Sequence, residues 1–583
     1  MLSNPTTEDL SLLNQYIALH PQDTTALTLL ATLYLLQKSY DKALHLTDRL
    51  LALNPDDAEA LYIAARSQEG LGHEAAAFAL LKKVHARNPE HLHAGMALAA
   101  YYEKNALLEE RIALLETLVR CQDPAQQELV SEAWNELGGD RVLLGQIAEA
   151  KQAFLRACQL KSDPADMPAA YSSYLMTTNY DLTLPAEVMR QEHAKYNAFF
   201  RETPKFRHKA PRAKKKLRLG YLSADFYHHV MAYFLYHLVL NYNRSAFEVY
   251  CYRTSPVVDD ATAQLQSKDT VWRDLSGLAP AAAARCIHRD KIDILIELGG
   301  HTAGNALPIL AYKPAQLQLC GLGYINTTGL DAVDYFITDE HIDPPGQNDT
   351  CFSEKLLRLP HSQWCYVKRL GLPDCQDAPC QQNGYVTFCC FNNFSKITDA
   401  MLRLWQLILQ QLPTSRLVLK NKLFKTAYGK KAAALRLEAL GFDRTRLEFR
   451  PTSATHMLEY QEMDIALDTY PYEGGATTCE ALYMGVPVIT LAGERHAARF
   501  GCSMLKNVGL EECIADSEAA YAEKAVALAK NTPRLRELHS GRLRQQMEAS
   551  PLMDEKLYLH DLETAYQEIW QKHIADSRKK TAE

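Results

Sequence analysis

No stretch of the sequence approaches the roughly 20 consecutive apolar residues that a membrane-spanning helix requires. The first residues, MLSNPTTEDLSLLNQ, have neither the charged segment nor the continuous apolar segment of a secretion signal. A cytoplasmic protein with no membrane partner is therefore expected. An excess of positive charge is missing too: 63 Lys and Arg stand against 70 Asp and Glu, a formal net charge of -7, which argues against a nucleic-acid partner. Regular cysteine spacing is likewise absent. The 14 cysteines are scattered, several inside apolar runs such as Val386–Phe391, as reduced core thiols are. Cys365, Cys375, Cys380 and Cys389 lack the short paired spacings of a zinc site, so no metal is expected.

What is present is length and order. A chain of 583 residues exceeds what one hydrophobic core supports, which implies two to four domains. Pro21, Pro55 and Pro89 fall 34 residues apart, the tetratricopeptide period, and Pro124 follows one residue late. The contents repeat as well. Leu27, Leu30, Tyr34, Tyr40, Ala43 and Leu50 occupy the packing positions of one antiparallel helix pair; Leu61, Ala64, Gly72, Ala77 and Val84 occupy those of the next. Small residues such as Ala43 and Ala77 let paired helices approach, and each proline stops the preceding helix. After the slip at Pro124 the pattern recovers in Ala133–Gly138 (AWNELG), Gly145, Ala150, Phe154 and Ala157. Repeats are thus expected over 1–165, as a superhelix with a concave surface for a protein partner. A helical cap and basic linker follow over 166–216. The basic run from Lys205 to Arg218 carries eight Lys and Arg and reads as a solvated linker between differently patterned regions.

From residue 217 the pattern changes to short β-rich runs alternating with amphipathic helices. Strands are expected at 217–223, 247–252 and 292–298, with helices at 232–241 and 280–289 between them. A second set is expected at 385–391, 416–420, 447–449, 464–468 and 486–491. The reading is an α plus α/β chain: one Rossmann-like lobe over 217–370, a linker over 371–384 and a second such lobe over 385–575, with ligand in the cleft facing the carboxyl ends of the strands.

Candidate site residues cluster at those strand ends. Lys396, in FNNFSK, follows the first strand of the second lobe, where an ammonium meets phosphate. In Asp468–Glu480 (DTYPYEGGATTCE), Gly474 and Gly475 permit close backbone approach. Thr477 and Thr478 offer hydroxyls and helix N-terminal amides to a phosphate, and Glu480 suits ribose hydroxyls. In the first lobe, His229, His301 and Gly323 also fall at strand ends and are expected at the cleft mouth.

Five segments together resemble the O-GlcNAc transferase and SPINDLY-type family of protein glycosyltransferases: 224–235 (ADFYHHVMAYFL), 292–305 (IDILIELGGHTAGN), 322–339 (LGYINTTGLDAVDYFITD), 391–396 and 464–500. The resemblance covers nearly the whole chain. It implies tetratricopeptide repeats before a catalytic region of the GT-B fold, and inverting transfer of a sugar, typically N-acetylglucosamine, from a UDP donor to Ser or Thr of a protein. By the same resemblance His229 matches the histidine beside donor sugar and acceptor, Lys396 the lysine that stabilises the departing diphosphate, and Asn393 a nucleotide-contacting position. His456 matches the histidine near the uracil, Thr477 and Thr478 the phosphate-binding turn, and Glu480 the acidic residue on the ribose. No cofactor is implied beyond the UDP-sugar donor, and the Asp-x-Asp metal motif is missing. Whether His229 or the donor phosphate deprotonates the acceptor stays open.

Departures bear on the donor. Tyr324–Thr327 (YINT) replaces the usual Gly-Tyr-Pro-Gly-Thr loop, and Ser453 and Glu459 stand where animal enzymes carry a lysine and an arginine. Only about 45 residues (340–384) join the lobes, as in compact bacterial members. Two alternatives remain at this stage: hexose transfer to Asn of proteins, and a noncatalytic repeat scaffold.

Overall fold

The structure, a computed structural model, describes residues 7–266, 268–368 and 371–582. It divides into two compact units: the chain up to Asp140 together with Gln152–Ser162, and Arg141–Lys151 together with the chain from Asp163 onward.

The first unit is all helix. α1 (Thr7–Leu19) precedes the antiparallel pairs α2 (Thr24–Leu36) with α3 (Tyr40–Leu53), α4 (Ala58–Gly70) with α5 (Glu74–Arg87), and α6 (Leu92–Lys104) with α7 (Leu108–Leu118). Pro21, Pro55 and Pro89 each lie two residues past a helix end. The next helix then starts on a cap: Asp23 accepts from the Ala26 amide and Asp57 from the Ala60 amide, both at 3.0 Å. Pro124 behaves differently. It opens a 3-10 turn, Pro124–Gln126, capped by Asp123, ahead of the long helix α8 (Gln127–Leu143), which accounts for the late register. α8 pairs with α9 (Ile147–Leu160), where a Cβ on Gly138 would lie 2.8 Å from the Phe154 ring. That contact is why Gly and Phe belong together in the repeat pattern. Arg111, 6% exposed, ties α7 to α8 through Asp140, at 2.5 Å, and Glu136.

The second unit holds two parallel sheets. The first consists of β1 (Leu217–Ser223), β2 (Phe247–Arg253), β3 (Thr270–Asp274), β4 (Ile294–Glu297), β5 (Leu317–Gly321), β6 (Tyr335–Asp339) and β7 (Lys355–Leu359), in the order β3-β2-β1-β4-β5-β6-β7. The second consists of β8 (Thr387–Cys390), β9 (Arg416–Lys420), β10 (Leu447–Arg450), β11 (Ile465–Leu467), β12 (Val488–Leu491) and β13 (Ile514–Ala515), in the order β10-β9-β8-β11-β12-β13. Both are doubly wound, and their order reverses between β1 and β4 and between β8 and β11. At those switch points neighbouring crossovers leave on opposite faces and open a crevice at the carboxyl ends.

One domain boundary needs correction. The second lobe does not run to 575. Its final helix, Glu555–Ala582, returns to the first sheet: Tyr558 donates to the Gln363 carbonyl at 3.0 Å, Glu563 accepts from the Asn243 amide at 2.7 Å, and Trp570 donates to the Arg212 carbonyl at 3.3 Å. Its apolar stripe of Tyr558, Leu562, Tyr566 and Trp570 is buried there; an amphipathic pattern cannot tell which sheet it will cover. The basic run is tethered to the first lobe with Lys205, Arg207, Lys209, Arg212 and Lys214–Lys216 exposed. Phe206 donates its amide to the Tyr312 carbonyl at 2.8 Å, the His208 ring meets the Lys313 carbonyl at 2.8 Å, and Lys214 pairs with Asp293. Among the described residues no helix is long and apolar enough to cross a membrane.

Candidate active site

In the second lobe the chain leaves β8 at Cys390 and places Phe391, Asn392 and the short turn Phe394–Lys396 over the switch point. β11 delivers Asp468 beside it, followed by Thr469–Gly475 and the helix Ala476–Tyr483. A small, partly open pocket lies between, lined by Phe391, Asn392, Asp468, Thr477 and Thr478 among others.

Lys396 is only 7% exposed. Its ammonium donates to the Glu473 carbonyl at 2.8 Å and sits 3.5 Å from the centre of the Tyr472 ring. Burial lowers its pKa to about 8, with the nearby Asp468 carboxylate opposing the fall. Tyr472 is itself packed by Tyr180, with ring centres 5.6 Å apart. Asp468 folds the turn: its Oδ1 accepts from the Thr469 and Gly474 amides, both at 2.8 Å. Gly474 is dictated by crowding, since a Cβ there would lie 2.6 Å from the hydroxyls of both Thr477 and Thr478. Gly475 faces open space at the start of the helix, where its carbonyl accepts from the Thr478 amide at 3.1 Å and the helix dipole favours an anion.

Above this lies an aromatic and charged wall. His456 Nε2 is 2.8 Å from Glu480 Oε2, and the His456 ring packs on Phe391 and Tyr460, at 5.8 and 5.6 Å between centres. Lys420, the last residue of β9, is buried and pairs with Glu459 at 2.6 Å and Ser453 at 3.0 Å. The two departures noted in the sequence are therefore coupled: the acid and the hydroxyl both bind this lysine.

The first lobe contributes its own strand ends. His229, in the loop after β1, is part-exposed; its Nδ1 is 3.6 Å from Asp225 and 3.4 Å from the Met231 amide. Burial raises the Asp225 pKa and the His229 charge opposes this. At the end of β4, Glu297 is fully buried and organises the following turn, accepting from the Gly300 amide at 2.6 Å and the Ala306 amide at 3.3 Å. Gly323 follows β5, where a Cβ would come 2.1 Å from the Leu298 carbonyl oxygen, so only glycine fits against β4.

His301 is not a ligand-facing group. It is 1% exposed, and both ring nitrogens are taken, Nδ1 by Ser172 at 2.9 Å and Nε2 by the Thr328 carbonyl at 2.8 Å. Tyr196 packs edge-on against it, 4.5 Å between centres. Burial pushes its pKa well below the usual histidine value and the neighbouring His193 adds to the fall, so the ring is a neutral tie between the helical segment before β1 and the first lobe. Asn393 is exposed and precedes the Lys396 turn, while its neighbour Asn392 is buried, accepting from Thr477 at 2.9 Å and donating to Asp468 at 3.4 Å. Sequence reasoning passed over Asn392, Lys420, Tyr472 and Glu473. Lys420 carried a usable signal, a charged residue closing an apolar strand; a buried Glu473 beside a double glycine carried none.

Residues 189–373 and 376–562 match the profile of glycosyl transferase family 41, and residues 8–84 match that of anaphase-promoting complex, cyclosome, subunit 3. The chain is 38% identical over 367 residues to the probable UDP-N-acetylglucosamine–peptide N-acetylglucosaminyltransferase SPINDLY of Solanum lycopersicum, which covers 62% of this chain and 39% of that protein. It is 33% identical over 379 residues to the corresponding probable transferase SEC of Arabidopsis thaliana, covering 62% of this chain and 38% of that one. The chain thus spans about two fifths of the length of these relatives. A solved structure of a Thermobaculum terrenum O-GlcNAc transferase mutant superposes with a TM-score of 0.72 at 28% identity, over 95% of this chain and 98% of that one. The helical repeats and the two lobes of GT-B type expected from the sequence are both present. Because the matched profile spans well over half of the residues, the chain belongs to glycosyl transferase family 41.

Proposed function

We propose that this protein is an inverting glycosyltransferase that moves N-acetylglucosamine from a UDP donor to Ser or Thr hydroxyls of proteins. The observation that carries the reading is the buried Lys396 ammonium beside the Gly474–Gly475 turn, with a helix N-terminus opening next to it. In the reaction the acceptor oxygen attacks the anomeric carbon, the bond from that carbon to the β-phosphate oxygen breaks, and UDP leaves with added negative charge. Lys396 and the first amides of the helix Ala476–Tyr483 are preorganised to stabilise that charge. Thr477 and Thr478 flank it, and His456, Glu480 and the exposed Asn393 form the nucleoside side. His229 belongs to the acceptor side, positioning the hydroxyl or taking its proton. The repeats present a protein acceptor. The printed names of the relatives, which specify UDP-N-acetylglucosamine and a peptide, support donor and acceptor class, and 14 free cysteines suit a reducing cytoplasm.

The test is incubation of the purified protein with radiolabelled UDP-N-acetylglucosamine and cell lysate, followed by mass spectrometry of labelled peptides. N-acetylhexosamine on Ser or Thr is expected. Hexose on Asn would overturn the donor and acceptor assigned, and absence of label with every UDP-sugar would overturn the activity.

A further inference from the structure

Beneath Lys396 two acidic side chains meet over one hydroxyl. Thr490, on β12 and fully buried, has its Oγ1 2.9 Å from Glu473 Oε1 and 3.1 Å from Asp468 Oδ2. Glu473 is 0% and Asp468 2% exposed, so neither carboxyl group meets bulk solvent. A hydroxyl has a single proton to donate. If both acids were ionised, Thr490 would donate to one and turn a lone pair on the other at hydrogen-bond distance, inside a dry site. The contact is attractive on both sides only when one of the two acids carries a proton.

The remaining partners decide which. Asp468 Oδ1 accepts from the Thr469 and Gly474 amides at 2.8 Å and from Asn392 at 3.4 Å, and the Lys396 charge lies close by. Glu473 has one further donor, the Gly501 amide at 2.6 Å from Oε2. Other titratable or charged groups facing the pair are Cys390, Cys502, Arg499 and Tyr521, of which Tyr521 donates to the Asp468 carbonyl at 3.0 Å.

We infer that Glu473 is a neutral carboxylic acid at neutral pH, donating from Oε1 to Thr490, which donates to ionised Asp468, and that this relay is a positioning device for Lys396 and the Gly474 turn. The inference rests on the UDP-sugar reading for its purpose, though not for the proton. The Glu473 backbone carbonyl holds the Lys396 ammonium while its side chain fixes the same residue to β12. A second negative charge here would compete with the diphosphate for that ammonium; the proton removes the competitor. Burial, with the Asp468 charge adding to it, pushes Glu473 well above the usual carboxyl range and supports the assignment, while Asp468 at about 6 remains ionised at neutral pH.

Infrared difference spectra of the full-length protein against Glu473→Gln at neutral pH test the proton without any ligand. Expected is loss of one protonated-carboxyl carbonyl band, and a shift of that band in Thr490→Val, which keeps the shape but removes its partner. No band difference overturns the inference. Binding of UDP tests the positioning role: Glu473→Ala should weaken affinity by about tenfold, and Glu473→Gln, which mimics the neutral acid, should restore it to within about threefold. Failure of Gln to restore binding, with the fold intact by circular dichroism, overturns the role. If the band behaves as expected but the wild type binds no UDP, the UDP-sugar reading falls and the protonated Glu473 stands.

Discussion

Replacing Lys396 by Ala separates a catalytic from a structural reading of the buried ammonium. On the bound nucleotide the change removes one charge-assisted hydrogen bond, about 1.5–3 kcal/mol, or roughly 10- to 150-fold in UDP affinity. In the transition state the leaving diphosphate carries more charge, and loss of a preorganised donor costs about 2.7–4 kcal/mol, some 10²–10³-fold in kcat. Stability moves in two directions. The pKa drop from 10.5 to about 8 means the free protein carries an unfavourable burial of the ammonium at neutral pH, worth about 3 kcal/mol at most, and Ala relieves it. Against this stand the lost contact with the Tyr472 ring, about 2 kcal/mol, and an unpaired Glu473 carbonyl, about 1–3 kcal/mol. The opposing quantities nearly cancel, so the melting temperature should shift by only a few degrees while turnover collapses. Transfer rates, UDP titration calorimetry and thermal melts read all three. A variant that keeps its kcat, or one that unfolds while its UDP affinity is unchanged, would refute the reasoning.

UDP affinity should be flat up to about pH 8 and then fall, by up to about tenfold per pH unit, as Lys396 loses its proton. The sign follows from a folded pKa below the unfolded one. The unfavourable contribution of this group to stability is full below pH 8 and fades as pH rises toward 10.5; a binding profile that stays flat well above pH 8 would rule this out. In the repeats, Arg111→Ala leaves Asp140 buried without its cation and should destabilise the chain by about 3–5 kcal/mol, whereas Arg111→Met with Asp140→Leu should recover most of that, as denaturant melts would show. His301→Ala should lower the melting temperature, by about 2–4 kcal/mol of stability, through loss of its Ser172 and Thr328 partners and its Tyr196 contact. A tenfold loss of UDP affinity without loss of stability would instead return His301 to the binding site.

The repeats were legible because their period is set by covalent spacing: three prolines and their helix caps recur every 34 residues. β1 and β4 were legible because burial on both faces demands continuous apolar runs, whereas the equally buried inner strands β5 and β6, interrupted by Gln318 and Thr338, were missed. β3 and β7, at opposite edges of the first sheet, read TVWRD and KLLRL; half-exposed and charged, they carry no such run and were missed. At the site, Gly474 and Lys396 stood out as residue types that need a local reason. His301 looked the same in sequence and proved otherwise, because Ser172 and Thr328 reach it from positions far away along the chain. Asn392 and Asn393 could not be ranked without knowing which one the end of β8 turns inward.

The return of the final helix to the first sheet has a mechanical consequence. The chain crosses between the lobes twice, outward before residue 380 and back after residue 549, and the two crossings run side by side: the Tyr366 amide donates to the Leu552 carbonyl at 2.8 Å, and Lys368 reaches Glu548 at 3.2 Å. One connecting strand would let the lobes swivel freely about it. Two connections held side by side restrain rotation of one lobe against the other, and the lobes are tied further where Ser503 Oγ donates to Asp339 at 2.8 Å and His496 Nδ1 meets Asp343 at 2.6 Å.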